Sequence, residues 1–319
     1  MVNVTIAGGS GQVSQEIIDA LIESDKHHIT ILSRKNTPPR PTISPQISWK
    51  TVDYSNKDSL TKALGGAHTL LSFIQILSDP DQASQKNLID AAIAAGVKRF
   101  APSEYGSKGT VNMPWWYGKE KVREYLEEVN SKEQVLEYTL FQPGLFLDYL
   151  AFPHKTSKHV DPLQTIFDFQ NRRAIVVNGH EDSIMTFTTV KDLATIVTKA
   201  VEYEGKWPSV GGIMGNKVTF SELLEIGHRV RGNYTPSQPP SQAWNLEAGD
   251  LNTSWGLEAV HHSVANDQAS AMLKAVSIGI LLSSTKGAWD ISNNWNEIFP
   301  DYTFHAIKDF LTTVWTDKP

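Results

Sequence analysis

The sequence lacks several features that would assign it to other classes of protein. It contains no cysteine, which excludes disulfide bonds, thiolate metal sites and a cysteine nucleophile. Its apolar runs are short: residues 277–282 fall far below the ~18–20 residues that a membrane span requires. Acidic residues outnumber basic ones, 35 to 29, so a broadly basic surface for nucleic acid is not expected. No basic segment precedes Val2–Ala7, and we therefore predict a cytoplasmic protein without a signal peptide.

Motifs for metal-dependent and serine hydrolysis are also missing. The chain has no His-Glu-x-x-His spacing, and neither His180 nor the pair His261-His262 is supported by a second cluster of ligands. It has no Gly-x-Ser-x-Gly turn, which argues against a serine hydrolase. We therefore expect no metal in the site.

Strand and helix patterns alternate through the first 145 residues. Short apolar or β-branched runs predict strands, and apolar residues at helical spacing predict the helices between them. The predicted strands are Val2–Ala7, 29–32, 47–52, 69–74, 98–102 and 138–142, and the predicted helices are 12–24, 58–64, 83–95 and 115–129. This alternation predicts an α/β fold with a doubly wound parallel sheet.

The regular alternation ends near residue 150. Beyond it, the sequence predicts a strand at 173–177, helices at 189–204, 262–279 and 305–315, and a loop at 236–241. Thr219 and Glu222 form a capping-box pattern, which predicts the start of a further helix. We therefore predict a cofactor-binding domain at residues 1–150. A smaller mixed cap at 151–319 follows it, with some of the later chain returning to the first domain.

A glycine-rich turn separates the first predicted strand from the first predicted helix. It reads Gly8-Gly9-Ser10-Gly11-Gln12-Val13-Ser14. Glycines allow a tight turn and a close backbone approach to a pyrophosphate at the helix N-terminus. The spacing differs from Gly-x-Gly-x-x-Gly, and Ser14 stands where a third glycine is usual. We predict that Gly8 to Val13 bind a dinucleotide cofactor.

The residues after the second and third strands indicate which dinucleotide this is. An NAD site favours Asp or Glu after the second strand, but this chain has Arg34 and Lys35 there. Two cations suit the 2′-phosphate of NADP(H), which an arginine can bind through two hydrogen bonds. Asp53, after the third strand, is either an adenine contact or a turn residue, and both interpretations stay open.

One predicted helix carries two lysines with different orientations. Its apolar stripe consists of Val122, Leu126 and Val129. Lys119 precedes these residues by three, seven and ten positions and so shares the buried face, whereas Lys121 faces outward. We therefore predict that Lys119 points towards the sheet, where a lysine can anchor ribose hydroxyls or act as a general acid.

Taken together, several segments resemble the NmrA-like and isoflavone-reductase-like family of atypical short-chain dehydrogenases. The matching segments are residues 6–12, Arg34, Pro-Ser-Glu-Tyr-Gly at 102–106, and residues 118–126, 142–149 and 178–192. The resemblance covers roughly residues 1–230 and implies a Rossmann domain, NADPH/NADP+ as cofactor and a C-terminal substrate domain. It also implies that Lys119 is the acid/base residue. We add Phe73 and Phe146 to the predicted cofactor contacts.

Three functions remain open from the sequence. We favour an NADPH-dependent reductase that transfers hydride to a bulky aromatic or heterocyclic metabolite, as in fungal secondary metabolism. The alternatives are an NADP(H)-sensing regulator that acts through a protein partner, and a redox-linked cyclising enzyme. The aromatic residues predicted to stack against a substrate are Trp115, Trp116, Tyr149 and Phe152. The expected partner is a small molecule, neither nucleic acid nor membrane, with a possible homodimer.

Overall fold

A six-stranded parallel sheet lies at the centre of the fold. The structure, a computed structural model, describes residues 1–35, 45–236, 240–251 and 269–318. The strands are β1 (Val2–Ala7), β2 (His27–Ser33), β3 (Ile47–Thr51), β4 (Thr69–Ser72), β5 (Arg99–Ala101) and β6 (Glu137–Tyr138). Their spatial order is β3-β2-β1-β4-β5-β6, and each neighbouring pair runs parallel. The prediction of a doubly wound α/β fold is confirmed.

Helices alternate with these strands along the chain. They are α1 (Gln12–Glu23), α2 (Lys57–Ala63), α3 (Ala83–Ala94) and α4 (Tyr117–Val129). Helix α1 buries Ile17, Ile18 and Leu21 because these residues recur at helical spacing on one face. They join Val4 and Ile6 of β1 in one hydrophobic core. Burial of this stripe therefore fixes α1, and the glycine turn before it, against the sheet.

The strand order changes direction between β1 and β4. The sheet extends through β2 on one side of β1 and through β4 on the other. Open α/β sheets bind ligands in the crevice outside the carboxyl ends of the strands at such a point. The glycine turn follows β1, and Phe73 follows β4 and donates its N–H to Ala7 O at 2.8 Å. Both segments therefore border the crevice where a ligand is expected.

The chain after β6 forms small sheets and further helices. Its strands are β7 (Leu140–Gln142), β8 (Leu145–Phe146), β9 (Phe167–Asp168), β10 (Arg173–Ala174), β11 (Ile184–Thr188), β12 (Val210–Gly212), β13 (Asn216–Thr219) and β14 (Thr235–Pro236). Its helices are α5 (Val190–Glu202), α6 (Phe220–Arg231), α7 (Ala243–Glu247), α8 (Ala269–Thr285), α9 (Asn294–Ile298) and α10 (Ile307–Trp315). The sheets have the orders β14-β10-β9, β13-β11-β8 and β12-β7. Helix α5 packs against α1, so this part of the chain contacts the first half directly.

The capping box at the start of α6 is formed as the sequence predicts. Thr219 Oγ1 accepts a hydrogen bond from Glu222 N at 3.1 Å, and Glu222 Oε2 accepts one from Thr219 N at 2.8 Å. In the described ranges, no helix combines the length and apolar character needed to cross a membrane.

Two predicted strands are wrong in their extent. The central sheet takes only Tyr138 from the predicted strand at 138–142, since β6 is Glu137–Tyr138 and the next residues change partner. Thr139 N still donates to Phe100 O, but Leu140 N donates to Ser209 O, and β7 pairs with β12. The strand predicted at 173–177 forms a ladder only at Arg173–Ala174.

The later predictions overlap segments that the structure does not describe. Of the helix predicted at 262–279, residues 262–268 lie outside the described residues, and α8 continues to Thr285. Of the loop predicted at 236–241, residues 237–239 lie outside the description, and Pro236 belongs to β14.

Candidate active site

The glycine turn is held by a serine rather than by a third glycine. Gly8 has φ +78°, and a Cβ on it would lie 2.7 Å from Phe73 O, so only glycine fits this close approach to the segment after β4. Ser14 is fully buried, and its hydroxyl contacts Gly8 O at 3.0 Å and Gly11 O at 2.8 Å. The departure from the usual glycine spacing therefore braces the turn instead of disrupting it.

The turn presents only its second half to a cavity. Gly11, Gln12 and Val13, at the start of α1, line a cavity of about 400 Å³. Gly9 is buried against Ile31, and Gly8 and Ser10 do not line the cavity. Of the predicted turn residues, the cavity therefore meets the N-cap Gly11 and the first two residues of α1, Gln12 and Val13, at the helix N-terminus.

The predicted selectivity residues lie outside this cavity. Arg34 and Lys35 are exposed after β2. The carboxylate of Asp53 accepts hydrogen bonds from Ser55 N at 2.9 Å and Ser55 Oγ at 2.7 Å, which lower its pKa. In this structure the Asp53 side chain therefore serves a turn, which is one of the two interpretations that the sequence left open.

Most of the other predicted site residues surround the cavity. Phe73, Phe146 and Tyr149 line it together with the tandem Trp115 and Trp116. Phe152 does not: it is only half-buried, and it follows the turn that ends at Ala151. Further lining residues that the sequence analysis did not identify include Tyr105, Met113, Met272, Leu273, Val276, Ser277, Ile280 and Trp289.

Helix α8 forms an apolar wall of the cavity. Its residues Leu273 and Ile280 face the cavity, and Gly279 lies against Trp115. A Cβ on Gly279 would lie 2.2 Å from Trp115 Cη2, so the glycine lets the helix approach the indole. Trp116 packs against Trp289 with ring centroids 6.0 Å apart. The wall therefore combines an aromatic pair with a helix that is distant in sequence.

Lys119 is buried at the base of this cavity. It is 5% exposed, and its Nζ donates a hydrogen bond to Glu104 O. The ammonium also lies 4.0 Å from the centroid of the Trp116 ring, a cation–π distance. Burial lowers the pKa of Lys119 to about 8, although the carboxylates of Glu104 and Glu120 oppose this change. Lys121 is exposed, so the helix presents the two lysines as their spacing predicts.

An ion pair beside Lys119 was not identified from the sequence. Arg123 Nε donates to Glu104 Oε1 at 2.9 Å, and Arg123 Nη2 donates to Glu104 Oε2 at 2.5 Å. Arg123 Nη1 also donates to Glu120 Oε1 and to Lys108 O, each at 3.0 Å. Arg123 lies four residues after Lys119, and this spacing on one helix face was the available signal.

Two phenols also border the cavity. The ring of Tyr105 stacks on Phe73 at a centroid distance of 4.5 Å, and its Oη has no hydrogen-bond partner within the described residues. Burial raises the pKa of both Tyr105 and Tyr149 far above the ordinary value. Both side chains therefore stay neutral, whereas the pKa of Lys119, which also lines the cavity, is lowered towards neutral pH.

The described residues offer no metal site. No group of three or more His, Asp or Glu side chains in that part of the chain is arranged to hold an ion. His261 and His262 lie outside the described residues.

Comparison with known proteins reveals fungal relatives. Oxidoreductase BOA1 of Botryotinia fuckeliana is 32% identical over 250 residues, which cover 76% of this chain and 80% of that protein. Oxidoreductase swnN of Metarhizium robertsii is 26% identical over an alignment of 343 residues, covering 100% of this chain and 98% of that protein.

Solved structures share the fold along nearly the whole chain. The NADPH-dependent quinone oxidoreductase QOR2 from Escherichia coli, complexed with NADPH, superposes with a TM-score of 0.67 at 17% identity, covering 98% of this chain and 99% of that chain. The binary complex of leucoanthocyanidin reductase with NADPH from Vitis vinifera superposes with a TM-score of 0.66 at 15% identity, covering 99% and 100%. The sequence model of the NmrA-like family matches residues 2–238. The resemblance read from the motifs is therefore confirmed, and the chain belongs to the NmrA-like family.

Proposed function

We propose that this protein is an NADP(H)-dependent oxidoreductase that reduces a bulky aromatic or heterocyclic metabolite by hydride transfer. The observation that carries the proposal is Lys119: it is buried with a lowered pKa, in an aromatic cavity that begins at the glycine turn. The fungal relatives are named oxidoreductases, and the two solved structures named above are complexes with NADPH.

The residues of the turn fit a dinucleotide cofactor. Gly11 leaves the approach to the N-terminus of α1 free of a side chain, and Gln12 and Val13 present helix N–H groups to the cavity. These groups would hold the pyrophosphate. Arg34 and Lys35 are exposed and would bind the 2′-phosphate, which favours NADP(H) over NAD(H). Phe73 and Phe146 line the cavity and would contact the nicotinamide.

Lys119 has the properties of a proton donor in this reaction. When bound, NADPH supplies the hydride from C4 of its nicotinamide ring. Lys119 is mostly protonated at pH 7 because its pKa is about 8, and it can pass a proton to a substrate oxygen or nitrogen. With substrate and cofactor bound, the apolar walls of the cavity would limit the access of water to this transfer. Alternatively, Lys119 anchors the ribose hydroxyls, and the experiment below separates the two roles.

The two predicted domains would have different functions. Residues 1–150 would bind the cofactor, and residues 151–319 would shape the substrate site through α8 and Trp289. Among the described residues, Trp289 and α8 give the cavity beside Lys119 an aromatic and apolar wall on the cap side, and this favours an enzyme over a cofactor-sensing regulator.

The test compares Lys119→Ala with Lys121→Ala. We would measure NADPH oxidation with a panel of quinones, aromatic ketones and aromatic enones, and NADPH binding by calorimetry. General acid catalysis contributes about 10²- to 10⁴-fold, so Lys119→Ala should lower kcat by at least about 100-fold. Lys121→Ala is the matched control on the same helix and should keep the wild-type rate. In the reductive direction the wild-type rate should fall as pH rises through about 8, because the protonated fraction of Lys119 falls.

Three results would each contradict one part of this proposal: the special role of Lys119, its role as proton donor, or the reductase activity. Equal losses in the two variants would remove the special role of Lys119. If Lys119→Ala weakened NADPH binding as much as it lowered kcat/KM, the lysine would be a ribose anchor. Tight NADPH binding without turnover of any acceptor in the panel would favour the sensor.

A further inference from the structure

Helix α4 is attached to one residue of the turn after β5 at two points. Lys119 Nζ donates to the backbone carbonyl of Glu104, and Arg123 donates two hydrogen bonds to the carboxylate of the same residue. Because Lys119 and Arg123 are four residues apart, both side chains project from one face of the helix. Glu104 therefore receives the lysine on its backbone and the arginine on its side chain.

The ion pair is buried and held on both sides. The Glu104 side chain is 1% exposed and that of Arg123 is 11% exposed. Arg123 is fixed further by Glu120 Oε1 and Lys108 O, and Glu120 Oε1 also accepts from Thr110 N at 3.1 Å. A planar guanidinium with this many fixed acceptors keeps the carboxylate in one orientation. The side-chain carboxylate of Glu104 is thus paired with Arg123, while the backbone carbonyl of the same residue binds Lys119.

We propose that the Glu104–Arg123 ion pair is a positioning pair for Lys119. Arg123 forms the ion pair with the Glu104 carboxylate. Lys119 therefore contacts the Glu104 carbonyl and the Trp116 ring and forms no salt bridge with that carboxylate. The lysine is thereby directed at the cavity without a salt bridge that would fix its proton. The catalytic importance of this arrangement rests on the function proposed above.

The charges around Lys119 agree with this arrangement. Burial favours its neutral form, the carboxylates of Glu104 and Glu120 favour its charged form, and the guanidinium of Arg123 again favours the neutral form. Apart from Glu104 itself, the other ionisable side chains that border the cavity within the described residues are the phenols of Tyr105 and Tyr149, which stay neutral. Removing Arg123 and removing the Glu104 charge should therefore move the pKa of Lys119 in opposite directions.

The test measures the titration of Lys119 directly. Protein labelled with [ε-13C]lysine would be followed by NMR from pH 6 to 10.5, with the Lys119 resonance assigned by its loss in Lys119→Gln. Arg123→Gln should move the midpoint up by at least about one pH unit, since a freed carboxylate next to a lysine favours its charged form. Glu104→Gln should move it down. The control is Glu137→Gln, which breaks the Arg99–Glu137 ion pair elsewhere in the chain and should leave the midpoint unchanged.

A conservative variant, Arg123→Lys, controls for the possibility that Arg123→Gln disturbs the fold. Arg123→Lys keeps the charge but not the double hydrogen bond, and its midpoint should lie between those of wild type and Arg123→Gln. Two outcomes would overturn the positioning role. In the first, the Lys119 midpoint shifts in the same direction in Arg123→Gln and in Glu104→Gln. In the second, the midpoint shifts in Arg123→Gln but stays at the wild-type value in Arg123→Lys. No substrate or cofactor is needed. Opposite shifts in a protein without reductase activity would therefore uphold the pair and refute the function proposed above.

Discussion

Replacing Gly8 or Gly11 by alanine should separate the structural role of the glycine turn from its binding role. Gly8 has φ +78°, and a Cβ there would lie 2.7 Å from Phe73 O, a backbone atom that cannot rotate away. Gly11 has no such restriction: a Cβ there would lie 3.4 Å from Ser14 Oγ and 3.6 Å from Gly8 O. Gly8→Ala should therefore disturb the fold, and Gly11→Ala should leave it nearly intact.

The size of the difference follows from the geometry. A left-handed conformation costs a non-glycine residue about 1–2 kcal/mol, and forcing a methyl group into a packed site costs a further ~1–3 kcal/mol. Gly8→Ala should thus destabilise the protein by about 2–5 kcal/mol. With an unfolding entropy of about 2.1 cal/mol/K per residue, each kcal/mol lowers the Tm of a 319-residue chain by roughly 1.5 °C. The expected loss is about 3–7 °C for Gly8→Ala and under about 2 °C for Gly11→Ala, whose cost is that of alanine at an N-cap.

Differential scanning calorimetry and NADPH titration calorimetry on the same samples would test both parts. Gly11→Ala should weaken NADPH binding by at least about tenfold, because its methyl group lies where the pyrophosphate approaches the helix N-terminus. Similar Tm values for the two variants would refute the steric argument for Gly8. Wild-type NADPH affinity in Gly11→Ala would refute the assignment of this turn to the pyrophosphate.

Two further predictions concern Arg34 and Tyr105. Arg34→Ala should weaken NADPH binding by about 10- to 100-fold, the value of one charge-assisted interaction, but NADH binding by less than about twofold. Calorimetry with both cofactors measures this, and an equal loss would contradict the 2′-phosphate assignment. Tyr105→Phe removes a buried hydroxyl that has no partner in the described part of the chain. It should therefore keep or raise the free energy of unfolding by up to about 1–3 kcal/mol, and a loss above about 2 kcal/mol in urea denaturation would show a hidden partner.

The parts of the fold that could be predicted are those fixed by local pattern. The β1 strand, the capping box at Thr219 and the alternation of strands with helices depend on residues close in sequence. The inward orientation of Lys119 was equally local, because it follows from its spacing to Val122 and Leu126 on one helix. The sequence could not show where the sixth strand changes partner at Leu140, since Ser209 lies far along the chain.

The parts of the site that could not be predicted depend on distant contacts. Trp289 and α8 reach the cavity from the far end of the chain, and Gly279, typical of a helix end, instead accommodates Trp115. Phe152 is only six residues after Phe146, yet it misses the cavity that Phe146 lines. The spacing of residues predicts which side chains share one face of a helix or strand. It does not show where a turn between two residues directs the second one, and this decides whether both line the cavity.

The burial of Lys119 supports the proposal that this cavity serves chemistry rather than stability. Removing an ammonium from water costs several kcal/mol, and a fold under selection for stability alone would place an apolar residue there or give the lysine a carboxylate partner. The chain has such a carboxylate at Glu104, in contact with the lysine through its backbone, and commits it to Arg123. Because the Glu104 carboxylate is paired with Arg123 and not with Lys119, the ammonium of Lys119 stays close to losing its proton. Proton transfer requires a group in that state.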